Sequence, residues 1–253
     1  MTKSAETAHD LVVFGATSFV GQILTRYLLE TYGVGKSVKW AIAGRSESKL
    51  NALKSELGDN GKDLPVILAD ASDEAALKSM CEQTRVIIST VGPYALYGEP
   101  LVRVCAETGT DYCDLTGEVQ WIRKMIEKYE DKAKASGARI VHCCGFDSIP
   151  SDMGVWFLQQ QAQEQFGQPA LDVRMRVKVA KGGLSGGTVA SMMNVAKEAG
   201  SDPQLRKELA NPFSICPKEH RSSRRPPSIK SAEYDEDFGV WLAPFVMGVI
   251  NTR

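Results

Sequence analysis

The stretch LVVFGATSFVGQILTRYLL, residues 11–29, decides the fold of this chain. It is apolar, breaks at Gly15 and restarts with helical periodicity, so it reads as strand, tight turn and helix. Gly15 permits the turn, and Gly21 lets the helix pack closely on the strand. Ser18 stands where a second glycine is expected; it can cap the helix and donate its hydroxyl to a phosphate. Such a turn presents a helix N-terminus, with its unpaired N–H groups and positive dipole end, to a dinucleotide pyrophosphate. Taken alone, it is equally a sharp turn that binds nothing.

Outward from this turn, strands and helices alternate. A strand over 10–14 leads to a helix over 18–30 with Val20, Ile23, Leu24, Tyr27 and Leu28 on one face. Strands follow at 38–43, 65–69, 85–90, 111–113 and 139–142. Helices at 47–57, from about 72, at 101–108 and at 118–135 separate them. Six strands in this alternation imply an α/β fold, a doubly wound parallel sheet, over residues 1–150.

The pattern changes after GFDSIPSD, residues 145–152. Residues 151–253 suggest a second α+β domain: a helix over 153–166, a strand over 172–182, a helix over 188–199 and a further strand at about 245–250. In the 172–182 strand Val173, Met175, Val177 and Val179 alternate with Arg174, Arg176 and Lys178, the mark of a half-exposed antiparallel strand. One or two strands cannot close a core. Either this sheet pairs with a second copy in a homodimer, or the domain is incomplete. The apolar ending VWLAPFVMGVINTR, residues 240–253, favours incompleteness. A basic Pro- and Ser-rich loop, residues 217–231, carries Lys218, His220, Arg221, Arg224, Arg225 and Lys230. It reads as a solvated linker, with phosphate or acidic-ligand contact as the sharper alternative.

Composition narrows the partners. The 253 residues are 43% hydrophobic and 24% charged with a net charge of −1, so no global field recruits nucleic acid or an anionic membrane. The first ten residues, MTKSAETAHD, lack a signal-peptide core, and the apolar run 240–250 is too short to span a bilayer. A cytoplasmic location follows as the expectation. The six cysteines, Cys81, Cys105, Cys113, Cys143, Cys144 and Cys216, form no CxxC pair and no zinc-ligand spacing with a histidine. Reduced thiols and no metal are expected.

The second strand ends in AGRSESKL, residues 43–50. NAD-preferring folds place a carboxylate here for the ribose hydroxyls; Arg45 offers a guanidinium instead. With Ser46 and Lys49 close by, the combination favours the 2′-phosphate of NADP over a merely solvated helix start. Asp70 ends the third strand, where the adenine edge would lie, or else serves the next helix. TVGPY, residues 90–94, ends the fourth strand at the topological switch point where ligands bind. The expected cofactor positions are therefore Gly15, Thr17, Ser18, Phe19, Val20, Gly21, Gly44, Arg45, Ser46, Lys49, Asp70, Thr90, Val91, Gly92, Pro93 and Tyr94.

Catalytic residues are less legible. A Tyr-x-x-x-Lys pair occurs as Tyr32 and Lys36, at the far end of the first helix and away from any nicotinamide. Asp114, Glu118 and Asp147 follow strand ends and could orient substrate or relay a proton; Tyr94 could touch nicotinamide or substrate. His142 ends the sixth strand and could reach the site, although a buried histidine is the commoner outcome. Hydride transfer requires no enzyme nucleophile, since the cofactor carries the chemistry. The catalytic set stays open, with Tyr94, Asp114 and Asp147 as candidates.

Together GATSFVG, AGRSESKL, TVGPYALYGEPLV, TDYCDLTGE, GFDSIPSD and GGLSGGT resemble the saccharopine dehydrogenase-like oxidoreductases, in the branch that includes the trans-acting enoyl reductases. The resemblance runs from about Leu11 to the C-terminus, with Ser18 and Val20 departing from the family's usual GATGFTG. It implies a Rossmann domain binding NADP through Gly15, Ser18, Gly21, Arg45 and residues 90–94, with GGLSGGT at the start of the second domain. Members continue well beyond a terminus like Arg253. The activity implied is hydride transfer to a carbonyl, imine or activated C=C of a lipid-like or amino-acid-derived substrate, with peripheral contact to a lipid surface compatible. Two other readings stand beside it. One is a non-catalytic dinucleotide-binding sensor or scaffold of lipid metabolism. The other is a saccharopine-type amino-acid dehydrogenase, for which only Arg174 and Arg176 offer a carboxylate clamp.

Overall fold

The computed structural model describes residues 7–179, 181–221, 223, 229–245 and 248–251. Six strands form one sheet: β1 (His9–Phe14), β2 (Trp40–Gly44), β3 (Val66–Leu68), β4 (Thr84–Ser89), β5 (Asp111–Asp114) and β6 (Ile140–Val141). Their order is β3-β2-β1-β4-β5-β6 and every pair is parallel. This is the doubly wound arrangement expected, with the order reversing between β1 and β4. Phe14 registers with Ser89, and Ser89 with Asp114, so the strand ends share one rim. Strands covered on both faces must be apolar throughout. In β2, Trp40, Ala41, Ile42 and Ala43 are at most 1% exposed.

The intervening helices are α1 (Phe19–Tyr32), α2 (Glu47–Glu56), α3 (Glu74–Glu82), the single turn α4 (Tyr94–Tyr97), α5 (Glu99–Thr108) and α6 (Val119–Ser136). The α1 face differs from the expected one. Gly21, Thr25 and Leu28 are buried, whereas Ile23 and Tyr27 are exposed. Small residues win the buried stripe because the helix lies so close to the turn, and Thr25 satisfies its hydroxyl on the Gly21 carbonyl at 2.7 Å. The α5 helix packs against both α3 and α6.

The chain divides into two compact units. The first runs to Cys144 and includes Gly183–Glu198; the second comprises Gly145–Gly182 and the residues from Ala199 onward. The expected 1–150 and 151–253 division differs from this one at 145–150 and at 183–198. The 183–198 segment carries most of α8 (Gly186–Ser201), and side-chain bonds explain its place: Ser191 donates to Glu118 at 2.8 Å and Gln120 to Glu198 at 3.4 Å.

In the second unit α7 (Ile149–Phe166) begins four residues before the expected start, with Pro150 in its first turn. A short helix, α9 (Pro203–Leu209), goes beyond the sequence reading, although Asp202 as cap followed by Pro203 marks it. The strand expected over 172–182 is absent among the described residues. A strand persists only where a neighbour satisfies its N–H and C=O groups. Here Arg174 pairs with Asp172 and Asp237, and Arg176 with Asp235, so the guanidinium groups are already neutralised. The regular pairing lies instead in a hairpin, β7 (Glu233–Asp235) and β8 (Val240–Leu242), turned at Gly239 and carrying an edge-on Tyr234–Trp241 contact at 5.6 Å.

The strand expected at 245–250 is also corrected: Gly248–Asn251 forms a helical turn, α10, and residues 246–247 lie outside the described residues. Of the basic loop, Lys218–His220 form a 3-10 turn, while Arg224, Arg225 and four neighbours lie outside the described residues. Among the described residues, no helix is long and apolar enough to cross a membrane.

Candidate functional site

The turn between β1 and α1 is shaped by what a methyl group would meet. Gly15 has φ +87°, and a Cβ there would lie 2.7 Å from Val91 Cγ2 and 2.8 Å from Thr90 Oγ1. At Gly21 a Cβ would strike the Gly15 carbonyl and lie 2.8 Å from Ala16 Cα. Ser18 caps α1, accepting from the Gly21 N–H at 2.9 Å. Its Oγ also lies 2.9 Å from Thr90 Oγ1, and the Thr90 hydroxyl donates to the Gly15 carbonyl at 2.9 Å. With Thr90 so committed, the Ser18 proton goes to Thr90. In this arrangement Ser18 locks the turn to the end of β4. The donors left for an anion are backbone groups. The N–H groups of Phe19 and Val20, at the first two helical positions, have no carbonyl four residues back within the helix.

At the end of β2, Gly44 is buried while Arg45 and Lys49 are exposed. Ser46 caps α2, accepting from the Lys49 N–H at 3.4 Å, so its hydroxyl serves the helix first. Asp70 accepts from the Ser72 hydroxyl at 2.7 Å and the Ser72 N–H at 2.9 Å. These bonds, with the nearby Arg45 charge, hold its carboxyl below the usual range. The cap of α3 is Asp73, not Asp70.

Beyond β4, Thr90 donates its N–H to Phe14 at 2.9 Å, which seals β4 to β1 at the switch point. The Gly92–Pro93 peptide is cis, and α4 opens immediately after it. A buried carboxylate, Glu118, accepts from the Tyr94 N–H at 2.8 Å, the Ala95 N–H at 2.9 Å and the Ser191 hydroxyl at 2.8 Å. Glu118 therefore holds the 90–94 loop in place. Tyr94 is buried, and its hydroxyl donates to the Ser89 carbonyl at 3.0 Å. Burial and the Asp114 charge push its phenol far above the usual range, so it stays protonated and bound to backbone.

Asp114, at the end of β5, is 2% exposed and gathers four donors. Oδ2 accepts from the Tyr112 hydroxyl at 2.9 Å and lies 2.7 Å from His142 Nδ1. Oδ1 accepts from the N–H groups of Thr116 and Cys143, each at 3.1 Å. Asp147 is exposed and belongs to the second unit, where its carbonyl accepts from Asn251 at 2.6 Å. Of the three catalytic candidates the structure brings Tyr94 and Asp114 together in the first unit. Cys113 and Cys144 are hydrogen-bonded neighbours; that bond and burial push the Cys113 thiol far up, and the same bond pulls the Cys144 thiol down.

Residues 11–141 match the family described as the saccharopine dehydrogenase NADP binding domain. The chain belongs to this family. A Mycobacterium tuberculosis protein named as a candidate trans-acting enoyl reductase is 41% identical over 250 residues, covering 96% of this chain and 59% of its own length. A Mycobacterium bovis protein named trans-acting enoyl reductase is 37% identical over 256 residues, covering 98% of this chain and 60% of its own. The chain thus spans about three fifths of the length of these relatives. Among solved structures it is similar to apo saccharopine dehydrogenase (L-Glu forming) from Saccharomyces cerevisiae, with 18% identity and a TM-score of 0.47 over 60% of this chain and 31% of that one.

NADP is the cofactor of this saccharopine dehydrogenase-family domain. The residues fit it: a methyl-free cradle at Gly15, unpaired first-turn amides, and two exposed cations after β2. Glu118 was open between substrate orientation and proton relay, and its role is to clamp the 90–94 loop. His142, expected either to reach the site or to be a buried histidine, lies 2.7 Å from Asp114. The signal that could have found it is its place after β6, one strand from Asp114 on the shared rim.

Proposed function

We propose that this chain is the NADP-dependent part of an oxidoreductase that reduces a C=C bond activated by an adjacent carbonyl, in the manner of an enoyl reductase. The single observation that carries the reading is the cradle at Gly15 with Arg45 and Lys49 exposed after β2, in a chain whose relatives bear that name. Bound NADPH supplies the hydride. Gly15, Thr17, Phe19, Val20 and Gly21 face the pyrophosphate; Gly44, Arg45, Ser46 and Lys49 face the 2′-phosphate, with Asp70 near the adenine edge; residues 90–94 border the nicotinamide. Residues 1–150 hold the cofactor, and 151–253 contribute to substrate binding or to contact with a second copy. The exposed apolar side chains of α7, among them Trp156 and Phe157, suit a lipid-like substrate. The reading places the protein in the cytoplasm, where six unbridged cysteines stay reduced.

The test is a fluorescence titration with NADPH and NADH. NADPH should bind the more tightly, and Arg45→Asp should weaken NADPH by about 1–3 kcal/mol while leaving NADH nearly unchanged. Equal loss for both cofactors would overturn the assignment of Arg45.

A further inference from the structure

The Asp114–His142 pair has the build of a general acid held by a carboxylate. All four groups around Asp114 are donors, and an ionised carboxylate accepts from each. At 2.7 Å from such an oxygen, His142 Nδ1 must carry a proton, which fixes the tautomer and leaves Nε2 as the reactive nitrogen. The ring is locked by edge-on contacts with Trp121 at 5.0 Å and Tyr112 at 5.9 Å. Its side chain is 9% exposed, and among the described residues Nε2 has no hydrogen-bond partner. The sealed unpartnered atoms among those residues are Gln120 Oε1 and Trp121 Nε1; His142 Nε2 is not one of them. The imidazole is thus pinned at Nδ1 by Asp114 and left open at Nε2.

We propose that His142 is the proton donor of the reduction and that Asp114 is its positioning residue. This rests on the oxidoreductase reading above. Hydride reaches one carbon of the double bond; the Nε2–H bond of the imidazolium breaks, and its proton joins the other carbon using the electron pair released there. NADPH is oxidised, the C=C is reduced, and solvent returns a proton to His142. The other titratable groups against this ring are Tyr112 and Asp114 from β5, Cys143 and Cys144 from its own strand exit, and Cys113 bonded to Cys144. Burial keeps the Tyr112 phenol protonated well above its usual range, so it donates to Asp114 and does not compete as the acid.

The experiment uses the full chain with NADPH and the N-acetylcysteamine thioester of crotonic acid. His142→Gln should lower kcat by about 10²–10⁴-fold with NADPH affinity unchanged. Asp114→Asn should lower kcat as well and shift the His142 tautomer, because the carboxamide can donate to Nδ1. Imidazole ¹⁵N spectra read this independently of turnover, with three histidines in the chain and His142 assigned by its loss in the variant. In the wild type, Nδ1 of His142 should stay protonated against Asp114 whether or not Nε2 carries the proton that is donated, and the ring resonances should shift when NADP⁺ saturates the protein. Retention of kcat within threefold in His142→Gln overturns the proposal. So do His142 resonances that stay fixed on NADP⁺ saturation, which is the deciding measurement if the thioester is not turned over. Failure of NADPH to bind at all would instead overturn the oxidoreductase reading.

Discussion

Helices α6 and α7 each hold 18 residues and a tryptophan, yet only one of them is buried. In α6 the apolar residues Ile122, Met125, Tyr129 and Ala133 recur every three or four positions, and together with Val119, Gln120 and Trp121 they are buried. In α7 the residues Ile149, Met153, Val155, Trp156, Phe157 and Leu158 are distributed around the helix, and none of its residues is buried. A stripe names the surface it packs on. A helix apolar on every side names none.

The largest expected effect follows from the two tryptophans. Trp121 is 2% exposed and Trp156 is 57% exposed. Trp121→Ala should lower stability by about 3–5 kcal/mol in urea unfolding, through lost burial and a cavity. Trp156→Ala should change it by no more than about 0.5 kcal/mol. Comparable losses would break the contrast, because they would mean that α7 is covered in solution.

The starts of the two helices sharpen it further. The residue before α6, Glu118, spends its carboxylate on the Tyr94 and Ala95 N–H groups, tying the helix to the switch-point loop. The residue before α7, Ser148, makes no side-chain cap bond. In Glu118→Gln one amide N–H would face a carboxamide NH₂, so a charge-assisted bond is lost and a donor left unmet. We expect about 2 kcal/mol less stability by urea unfolding, together with weaker NADPH binding as residues 90–94 loosen. Ser148→Ala should do neither. Unchanged NADPH binding in Glu118→Gln would separate loop position from cofactor affinity.

The same contrast governs what could be read from the sequence. The six-stranded parallel sheet and the glycine turn were legible because they rest on local rules: apolar runs buried on both faces, and glycines at positions where a Cβ collides. Ser18 was read correctly as the cap of α1, but its tie to Thr90 and the role of Glu118 were not legible. Each depends on a partner far along the chain, Thr90 in one case and the Tyr94 N–H in the other. The 172–182 segment misled for a related reason. Its alternation is a genuine strand pattern, but a strand exists only where a ladder partner is present, and Arg174 and Arg176 close on aspartates instead. The direction of the Tyr94 hydroxyl, inward to the Ser89 carbonyl, is likewise something that sequence position cannot convey.

The smallest effect concerns the Arg–Asp pairs that follow each helix. After α6, Asp111 accepts from the Arg139 N–H at 2.8 Å and from Nε at 3.0 Å, beside a β5–β6 ladder bond from Tyr112 to the Arg139 carbonyl at 2.9 Å. After α7, Arg176 and Asp235 pair at 2.8 Å between segments that share no ladder. Burial pushes the Asp111 carboxyl up, but the Arg139 bonds outweigh it and hold the group below its usual range. A carboxyl lowered in the folded state adds stability above its unfolded value, near pH 4, and loses it as pH falls through the folded one. Arg139 is 77% exposed, so solvent screens much of the attraction, and Asp111→Asn should cost only about 0.2–1 kcal/mol at pH 7. The gap from wild type should narrow below about pH 4 and close as the wild-type carboxyl is protonated. A gap that survived protonation would assign the loss to the ladder geometry at the start of β5 rather than to charge, and the pair would then differ from Arg176–Asp235 in backbone fit alone.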